Sequence, residues 1–273
     1  MNVLKTAVFE DYMAGGGSTK PWQMRLEDAS GEQIAYVVKM FTQRHVDQTH
    51  AIGKEAIGSI LAREFDLPVP EFGFADFTLE FIRHGLSEGL RKELNSKAKG
   101  LKFASRMASG RPLATAGLPT RFLKDYDMAK VYAFDVMIYN VDRTFDGKQN
   151  LLINDEDFLL IDHELCLPFI NQGNFPFFRR VLDKLNNGEI IFPFQRHLFY
   201  PYLKGMRKSQ RSNPFDEFIV YLNILDLAKI QEACRALGVL GIAVGEQKLL
   251  FEYLSALKRE SHQFGKLLLG TIS

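Results

Sequence analysis

The stretch from Asn140 to Glu164, NVDRTFDGKQNLLINDEDFLLIDHE, carries the most informative pattern in the sequence. Asp142 follows a predicted helix and begins a loop, Asn150 ends that loop where an apolar strand begins, and Asp162 ends the next apolar strand. This order supplies one carboxylate for a nucleophilic hydroxyl and two oxygen ligands for a metal ion. The alternative is a β-hairpin with polar ends, in which Asp162 only caps the segment that follows it.

The chemistry of these side chains favours a magnesium site. Magnesium prefers hard oxygen ligands in octahedral geometry and keeps several of its water molecules. The carboxylate of Asp162 and the amide oxygen of Asn150, together with the phosphates of ATP, meet this requirement. The sequence therefore predicts that Asn150 and Asp162 bind the metal and that Asp142 acts on the hydroxyl.

A second cluster surrounds Lys39 in the apolar segment Val37-Val38-Lys39-Met40-Phe41. An unpaired ammonium group in a dry environment is costly, so a lysine at this position needs a partner. Kinases bind phosphates with such a lysine and pair it with a glutamate on a helix. Glu55 lies in the next predicted helix and can be that partner. The alternative is an edge-strand lysine that faces solvent, with Glu55 on a solvated helix face.

The third cluster is the segment Gly15-Gly16-Gly17-Ser18-Thr19-Lys20. A glycine-rich turn lets main-chain N–H groups approach phosphate oxygens without a Cβ atom in the way. Its spacing matches neither a Walker motif nor G-x-G-x-x-G. A flexible hairpin loop is the alternative interpretation.

The rest of the chain divides into a strand-rich half and a helix-rich half. Before residue 112 the pattern predicts a helix over Asp47–Phe65 and an antiparallel sheet with the glycine loop between its first two strands. The strands of this predicted sheet are Val3–Phe9, Trp22–Leu26 and Ile34–Phe41, and two further strands are predicted at Phe72–Phe81 and Leu101–Met107. From Asp125 onward the pattern is mostly helical, so we expect an α+β fold with an N-lobe at residues 1–112 and a helical C-lobe at residues 113–273.

Composition excludes several classes of protein. The chain has 273 residues, 46% hydrophobic and 25% charged, with a formal net charge of +1, which gives no bias towards nucleic acid or an anionic membrane. No apolar run approaches the ~20 residues that span a bilayer, and the segment Met1 to Glu10 does not resemble a signal peptide. Cys166 and Cys234 show no metal-site or disulfide pattern, which fits a reducing cytoplasm.

Taken together, these motifs resemble those of the HipA-like kinases, specifically the compact branch without the N-terminal extension of HipA. The resemblance covers about residues 10 to 170. The matching segments are Gly15 to Pro21, Val38-Lys39, Glu55 with Leu67-Pro68-Val69-Pro70, Asn140 to Thr144 with Asn150 to Leu152, and Ile161-Asp162-His163. Lys148-Gln149 departs from the asparagine-proline pair that the branch often shows there.

The resemblance implies a divergent two-lobed protein-kinase fold and serine/threonine kinase activity with ATP and magnesium. It assigns Asp142 as the catalytic aspartate, Lys39 to the ATP phosphates, Glu55 to the orientation of Lys39, and Asn150 and Asp162 to magnesium. It also implies that Gly15, Gly16, Gly17, Ser18 and Thr19 bind nucleotide. Ser18 or Thr19 could be autophosphorylated, as happens in the corresponding loop of HipA-like kinases.

The acceptor and the partners stay open at this point. A protein acceptor is expected first; a small-molecule or lipid kinase, and a nucleotide-binding pseudokinase or interaction module, are the alternatives. An antitoxin-like or regulatory protein partner is possible, whereas no nucleic acid or membrane partner is expected. Asp135 on the predicted helix is expected to hydrogen-bond the catalytic loop, Arg143 to form an ion pair, and His163 to be a hydrogen-bonded histidine beside the site.

Overall fold

The strands of the first half close into a barrel. The computed structural model describes residues 1–13, 19–115, 127–206 and 214–273. The barrel strands are β1 (Val3–Tyr12), β2 (Trp22–Glu27), β3 (Gln33–Val38), β4 (Phe72–Asp76) and β5 (Lys102–Arg106). Their order is β1-β2-β3-β5-β4, and β1 pairs with β2 antiparallel but with β4 parallel. The antiparallel pairing expected for the first three strands is confirmed. The closure of the barrel through the parallel pair β1–β4 was not predicted.

Alternate side chains of β2 fill the barrel interior. Trp22, Met24 and Leu26 are fully buried, as their spacing of two predicts for one face of a strand. They pack in one core with residues of the other strands, including Val38 and Ala104. Two register shifts between β1 and β2 bend β1, which reaches β4 on its other side. This curvature closes the barrel.

The predicted helix Asp47–Phe65 is two helices, α1 (Gln43–Thr49) and α2 (Ala51–Glu64). The hydroxyl of Thr42 caps α1 by accepting a hydrogen bond from the N–H of His45. His50 ends α1 in a left-handed conformation with φ of 54° and begins α2. The expectation of one continuous helix was wrong because the apolar spacing does not reveal a single left-handed residue.

Helix α2 is buried on nearly all sides and belongs to the core of the helical half. Two glycines permit this close packing. A Cβ atom at Gly53 would lie 2.2 Å from the carbonyl oxygen of Ala243, and one at Gly58 would lie 2.4 Å from the Cβ atom of His163. Helix α2, which carries Glu55, is therefore held against two segments of the second half.

The remaining elements complete the two halves. Helices α3 (Leu79–His84) and α4 (Glu88–Asn95) lie between β4 and β5. Helix α5 (Met128–Ile138) precedes the two-stranded antiparallel sheet β6 (Leu151–Ile153) and β7 (Phe158–Leu160). The later helices are α6 (Phe175–Asn186), α7 (Tyr200–Gly205), α8 (Asp216–Ile224), α9 (Leu227–Val239), α10 (Gln247–Arg259) and α11 (Ser261–Thr271), with short 3-10 helices at Pro168–Ile170 and Phe194–Arg196.

The last barrel strand ends at Arg106 and helix α5 begins at Met128, on either side of the boundary predicted at residue 112. The position of that boundary stays a prediction. The N–H of Ile153 donates to the carbonyl oxygen of Pro112, and the N–H of Ala114 donates to that of Leu151. The segment after the barrel thus lines the edge of β6.

Both cysteines are free and buried. Within the described ranges, no helix combines the length and the apolar character that crossing a bilayer would require.

Candidate active site

The β6–β7 hairpin brings Asn150 and Asp162 to the same end of the small sheet. Leu151 pairs with Leu160, and the N–H of Ile161 donates to the carbonyl oxygen of Asn150 at 3.2 Å. Asn150 and Asp162 have φ of 48° and 66°, a left-handed conformation that asparagine and aspartate tolerate better than most residues. Uncommon backbone conformations cluster at functional sites, where the surrounding structure maintains them.

Lys39 lies at the centre of a cluster of three carboxylates. Its Nζ atom forms an ion pair with Glu55, lies 2.6 Å from Oδ1 of Asp162, and lies 3.5 Å from Oε2 of Glu164. The residue directly follows β3, and its N–H donates to the carbonyl oxygen of Phe103 at 2.9 Å. Lys39 and Glu55 are thus brought together, as the sequence pattern predicted.

The charges of this cluster set the pKa values of its members. Burial lowers the pKa of Lys39, but the carboxylates of Asp162, Glu55 and Glu164 outweigh it, and the pKa is above its ordinary value. Burial alone would raise the pKa of Asp162, but the ammonium of Lys39 lowers it to about 2. Burial, together with Asp162 and Glu55, raises the pKa of Glu164 to about 7. One ammonium group therefore does not neutralise all three carboxyl groups.

This excess of acidic groups fits a divalent cation. One carboxylate oxygen from each of Glu55, Asp162 and Glu164 can be chosen so that all lie within 4.8 Å of one another. Oxygen ligands of this kind suit magnesium. Glu164 was missed by the sequence analysis, although its position two residues after Asp162 in Asp162-His163-Glu164 is a local signal that could have indicated it.

Asp142 and Asn150 contact each other directly. The Nδ2 atom of Asn150 donates to Oδ2 of Asp142 at 3.0 Å. The main-chain N–H of Asp142 donates to Oδ1 of Asn140 at 3.4 Å. The predicted catalytic aspartate and one predicted metal ligand are therefore adjacent.

A buried network centred on Asp135 supports the loop from Asp142 to Asn150. The carboxylate of Asp135 accepts hydrogen bonds from Asn140 at 3.0 Å and from Arg143 at 2.6 Å, and its Oδ2 atom lies 3.0 Å from Nε2 of His197. Burial would raise the pKa of Asp135, but Arg143 and His197 lower it below its ordinary value. The expected hydrogen bonding of Asp135 and ion pairing of Arg143 are confirmed.

Arg143 carries this network to the other end of the loop. Its Nη1 atom donates to the carbonyl oxygen of Gln149 at 3.3 Å and also to that of Asn150. His197, the remaining partner of Asp135, was missed by the sequence analysis. It lies far from the recognised motifs, and no local pattern marks it.

His163 differs from its expectation. The ring is buried, and neither ring nitrogen has a hydrogen-bond partner. It packs edge-on against Phe134 beneath Gly58. Burial, assisted by the charge of Arg143, lowers the pKa of His163 to about 3, so the ring is neutral. The expectation of a hydrogen-bonded ring was wrong; instead its main-chain N–H donates to Glu55 at 3.1 Å.

The predicted nucleotide loop lies mostly outside the described residues. Gly15, Gly16, Gly17 and Ser18 fall in the undescribed range 14–18, whereas Thr19 is described. The N–H of Met13, which precedes the undescribed range, donates to the carbonyl oxygen of Pro21 at 2.9 Å.

Comparison with known families assigns the chain to one of them. The family model described as "HipA-like kinase" matches residues 11–172, more than half of the sequence. The chain belongs to the HipA-like kinases. The resemblance inferred from the motifs is thereby confirmed, and this HipA-like kinase is a phosphotransferase. Membership of a kinase family implies in general the use of ATP and a divalent metal.

Structural comparison supports the same fold. The crystal structure of a Helicobacter pylori proinflammatory kinase, CtkA, is similar to this HipA-like kinase with a TM-score of 0.51 and 14% sequence identity. The similarity covers 98% of each chain, and at this identity it concerns the fold alone. It confirms the α+β, kinase-like architecture. A search among curated proteins gave no match.

Proposed function

We propose that this HipA-like kinase transfers the γ-phosphoryl group of ATP, with magnesium, to a serine or threonine hydroxyl of a protein. One observation carries the proposal: Lys39 contacts both Glu55 and Asp162 at the open end of the hairpin where Asn150 meets Asp142. These four acidic or amide groups and one lysine are the parts that positioning and charge neutralisation in phosphoryl transfer require.

Each residue has a distinct task in this proposal. Lys39, oriented by Glu55, binds the phosphates, and Asn150 and Asp162 hold the magnesium ion. When bound, the cation neutralises negative charge on the phosphates. Asp142 orients the acceptor hydroxyl and accepts its proton as the acceptor oxygen bonds to the γ-phosphorus. The bond from that phosphorus to the β–γ bridging oxygen breaks, and ADP leaves with the electron pair.

The test is incubation with γ-labelled ATP and magnesium, followed by mass analysis of the protein and of candidate acceptors. We expect label on serine or threonine, lost with a chelator and in the Asp142→Asn variant. Label only on a lipid or small molecule would instead identify one of the alternative kinase classes. A folded wild-type protein that transfers no label to any acceptor would contradict the proposal.

We also propose that the kinase phosphorylates its own glycine loop at Ser18 or Thr19. A phosphate adds about −1.5 to −2 charges, which would repel the phosphates of ATP and reduce activity. Digestion of the protein after prolonged incubation with ATP and magnesium should show phosphate within residues 15–20. Phosphate present equally in the Asp142→Asn variant would assign the modification to another kinase.

We also propose a cytoplasmic location and a regulatory protein partner. Free, buried thiols at Cys166 and Cys234 are compatible with a reducing cytoplasm, which cell fractionation would test. A regulatory, antitoxin-like protein partner is a proposal from the family alone. Co-purification from cells with a single stoichiometric protein would support it, and a chain that purifies alone would argue against it.

A further inference from the structure

His197 lies outside residues 11–172, the part of the chain that the family model covers. It follows the short 3-10 helix Phe194–Arg196, and its side chain is completely buried. The N–H of Phe199 donates to Nδ1 of His197 at 3.1 Å. Because Nδ1 accepts, the ring proton of the neutral form is on Nε2, which donates to Oδ2 of Asp135 at 3.0 Å.

This hydrogen bond completes the set of donors around a buried charge. Asp135 is inaccessible to solvent, so its carboxylate depends on protein donors. Oδ1 accepts from Asn140, whereas Oδ2 accepts from Arg143 and His197. Asn140 and Arg143 lie close to Asp135 in sequence, whereas His197 comes from a segment 62 residues away.

The main chain around His197 is joined to the same loop. The N–H of Leu198 donates to the carbonyl oxygen of Arg143 at 3.0 Å, and the N–H of Phe145 donates to that of Arg196 at 3.0 Å. Thr144 and His197 form an isolated antiparallel bridge. The segment 196–198 therefore pairs with the loop like a short strand, and the side chain of His197 reaches the buried carboxylate of Asp135.

A continuous series of contacts leads from His197 to the predicted catalytic aspartate. Asp135 holds the guanidinium of Arg143, which donates to the carbonyl oxygen of Asn150. The amide of Asn150 in turn donates to Asp142 at 3.0 Å. We propose that His197 is a positioning residue for phosphoryl transfer, which fixes Asp135 and Arg143 so that Asn150 and Asp142 keep their relative placement. This inference rests on the proposed roles of Asp142 and Asn150.

Two substitutions of His197 distinguish the effect of the Nε2–H donor from that of the bulk of the ring. His197→Phe keeps a ring but removes the donor, whereas His197→Gln places an amide donor at a reach similar to that of Nε2. Tyr253→Phe is the matched control, because the hydroxyl of Tyr253 donates to the carbonyl oxygen of Met137 on the same helix, α5, and not to the Asp135 network. All variants are compared for turnover, magnesium–ATP affinity by direct titration, unfolding temperature and hydrogen exchange of residues 143–150.

We expect His197→Phe to lower turnover by roughly 10- to 100-fold, the scale of a small misplacement of reacting groups. Affinity for magnesium–ATP should fall by no more than about threefold, because only the weaker metal ligand, Asn150, is displaced, whereas Lys39 keeps its contacts with Glu55 and Asp162. Exchange in residues 143–150 should accelerate. His197→Gln should recover most of the turnover and protection, and Tyr253→Phe should lose stability but keep normal turnover and loop exchange.

Normal turnover and normal loop exchange in His197→Phe would overturn the inference, as would a folded His197→Gln as defective as His197→Phe. If His197→Phe fails to fold, His197→Asn replaces it, because its shorter amide mimics Nδ1 and should be much less active than His197→Gln. Loop exchange does not require catalysis. It therefore tests the inference even if the wild-type protein transfers no phosphate, an outcome that would contradict only the proposed function.

Discussion

The ammonium of Lys39 lies 2.6 Å from the carboxylate of Asp162, across 123 positions of sequence. Lys39 follows strand β3 of the barrel, and Asp162 comes two residues after β7 in the helical half. The contact therefore joins the two halves at the proposed site. Because Glu55 also pairs with Lys39, helix α2 is part of the same junction.

Lys39 and Glu55 should behave as one functional unit. Lys39→Met and Glu55→Gln should each impair turnover, and the double variant should be little worse than the worse single variant, because coupled residues are non-additive. The exposed pair Glu88 and Lys92, 2.8 Å apart on α4, provides the control, and its substitution should leave turnover unchanged. Losses that add in log rate would show that the Lys39–Glu55 contact has no functional role.

Asp162 should be the principal metal ligand. Asp162→Asn should strongly weaken ATP binding in the presence of magnesium, and Asn150→Ala should weaken it less, because a carboxylate attracts the cation more than an amide. Titrations with magnesium and with a chelator separate the metal contribution from the loss of the Lys39 contact. Unchanged magnesium–ATP affinity in Asp162→Asn would refute this assignment.

Asp142 should matter for transfer more than for binding. Asp142→Asn keeps an oxygen that can accept from the amide of Asn150, so the loop should stay in place. We expect turnover to fall by ~100-fold or more while nucleotide affinity changes by only a few-fold, the pattern of a residue that acts on the reacting hydroxyl. Equal losses of affinity and rate would instead make Asp142 a metal ligand or a determinant of the fold.

Gly58 should be required for the approach of helix α2 to the metal-binding segment. In Gly58→Ala the new Cβ atom would meet the Cβ atom of His163 at 2.4 Å, so the helix or the loop must move. We expect about 1–3 kcal/mol of lost stability and reduced turnover, because Glu55 moves with the helix. Gly238→Ala in α9 is the control, since a Cβ atom there would meet no atom within 4 Å outside its own helix turn, and it should not destabilise the protein. Equal effects of the two substitutions in thermal unfolding would count against this packing role.

Acid should destabilise the protein partly through His197. Burial lowers the pKa of His197, and protonation of Nδ1 would break its hydrogen bond with the N–H of Phe199. Below about pH 6.5 the unfolded chain binds a proton here that the folded protein does not, so the free energy of unfolding falls as pH falls. His197→Gln should reduce this slope by at most about 1.4 kcal/mol per pH unit. Tyr253→Phe should not, and equal slopes in urea titrations of wild type and His197→Gln would contradict the prediction.

Much of the candidate site could be predicted because its signals are local. Period-two alternation identified the buried face of β2, and the loop between α5 and β6 identified Asp142 and Asn150 without any knowledge of distant contacts. Lys39 was conspicuous because a charged residue in an apolar segment needs a partner. Glu164 could in principle have been predicted but was overlooked, since an acidic residue beside a metal ligand has many ordinary explanations.

By itself, then, the sequence determined the faces of the strands, the α+β division and the motif residues, since each depends on neighbours a few positions away. Only the tertiary structure decided the parallel pairing of β1 with β4, the break at His50 and the joining of His197 to Asp135. The pairing of β1 with β4 and that of His197 with Asp135 depend on contacts between segments far apart in the chain, whereas the break at His50 is a single left-handed residue that the apolar spacing does not mark. The free energy of these contacts comes from burial and from pairing buried polar groups, which no local pattern of residues encodes.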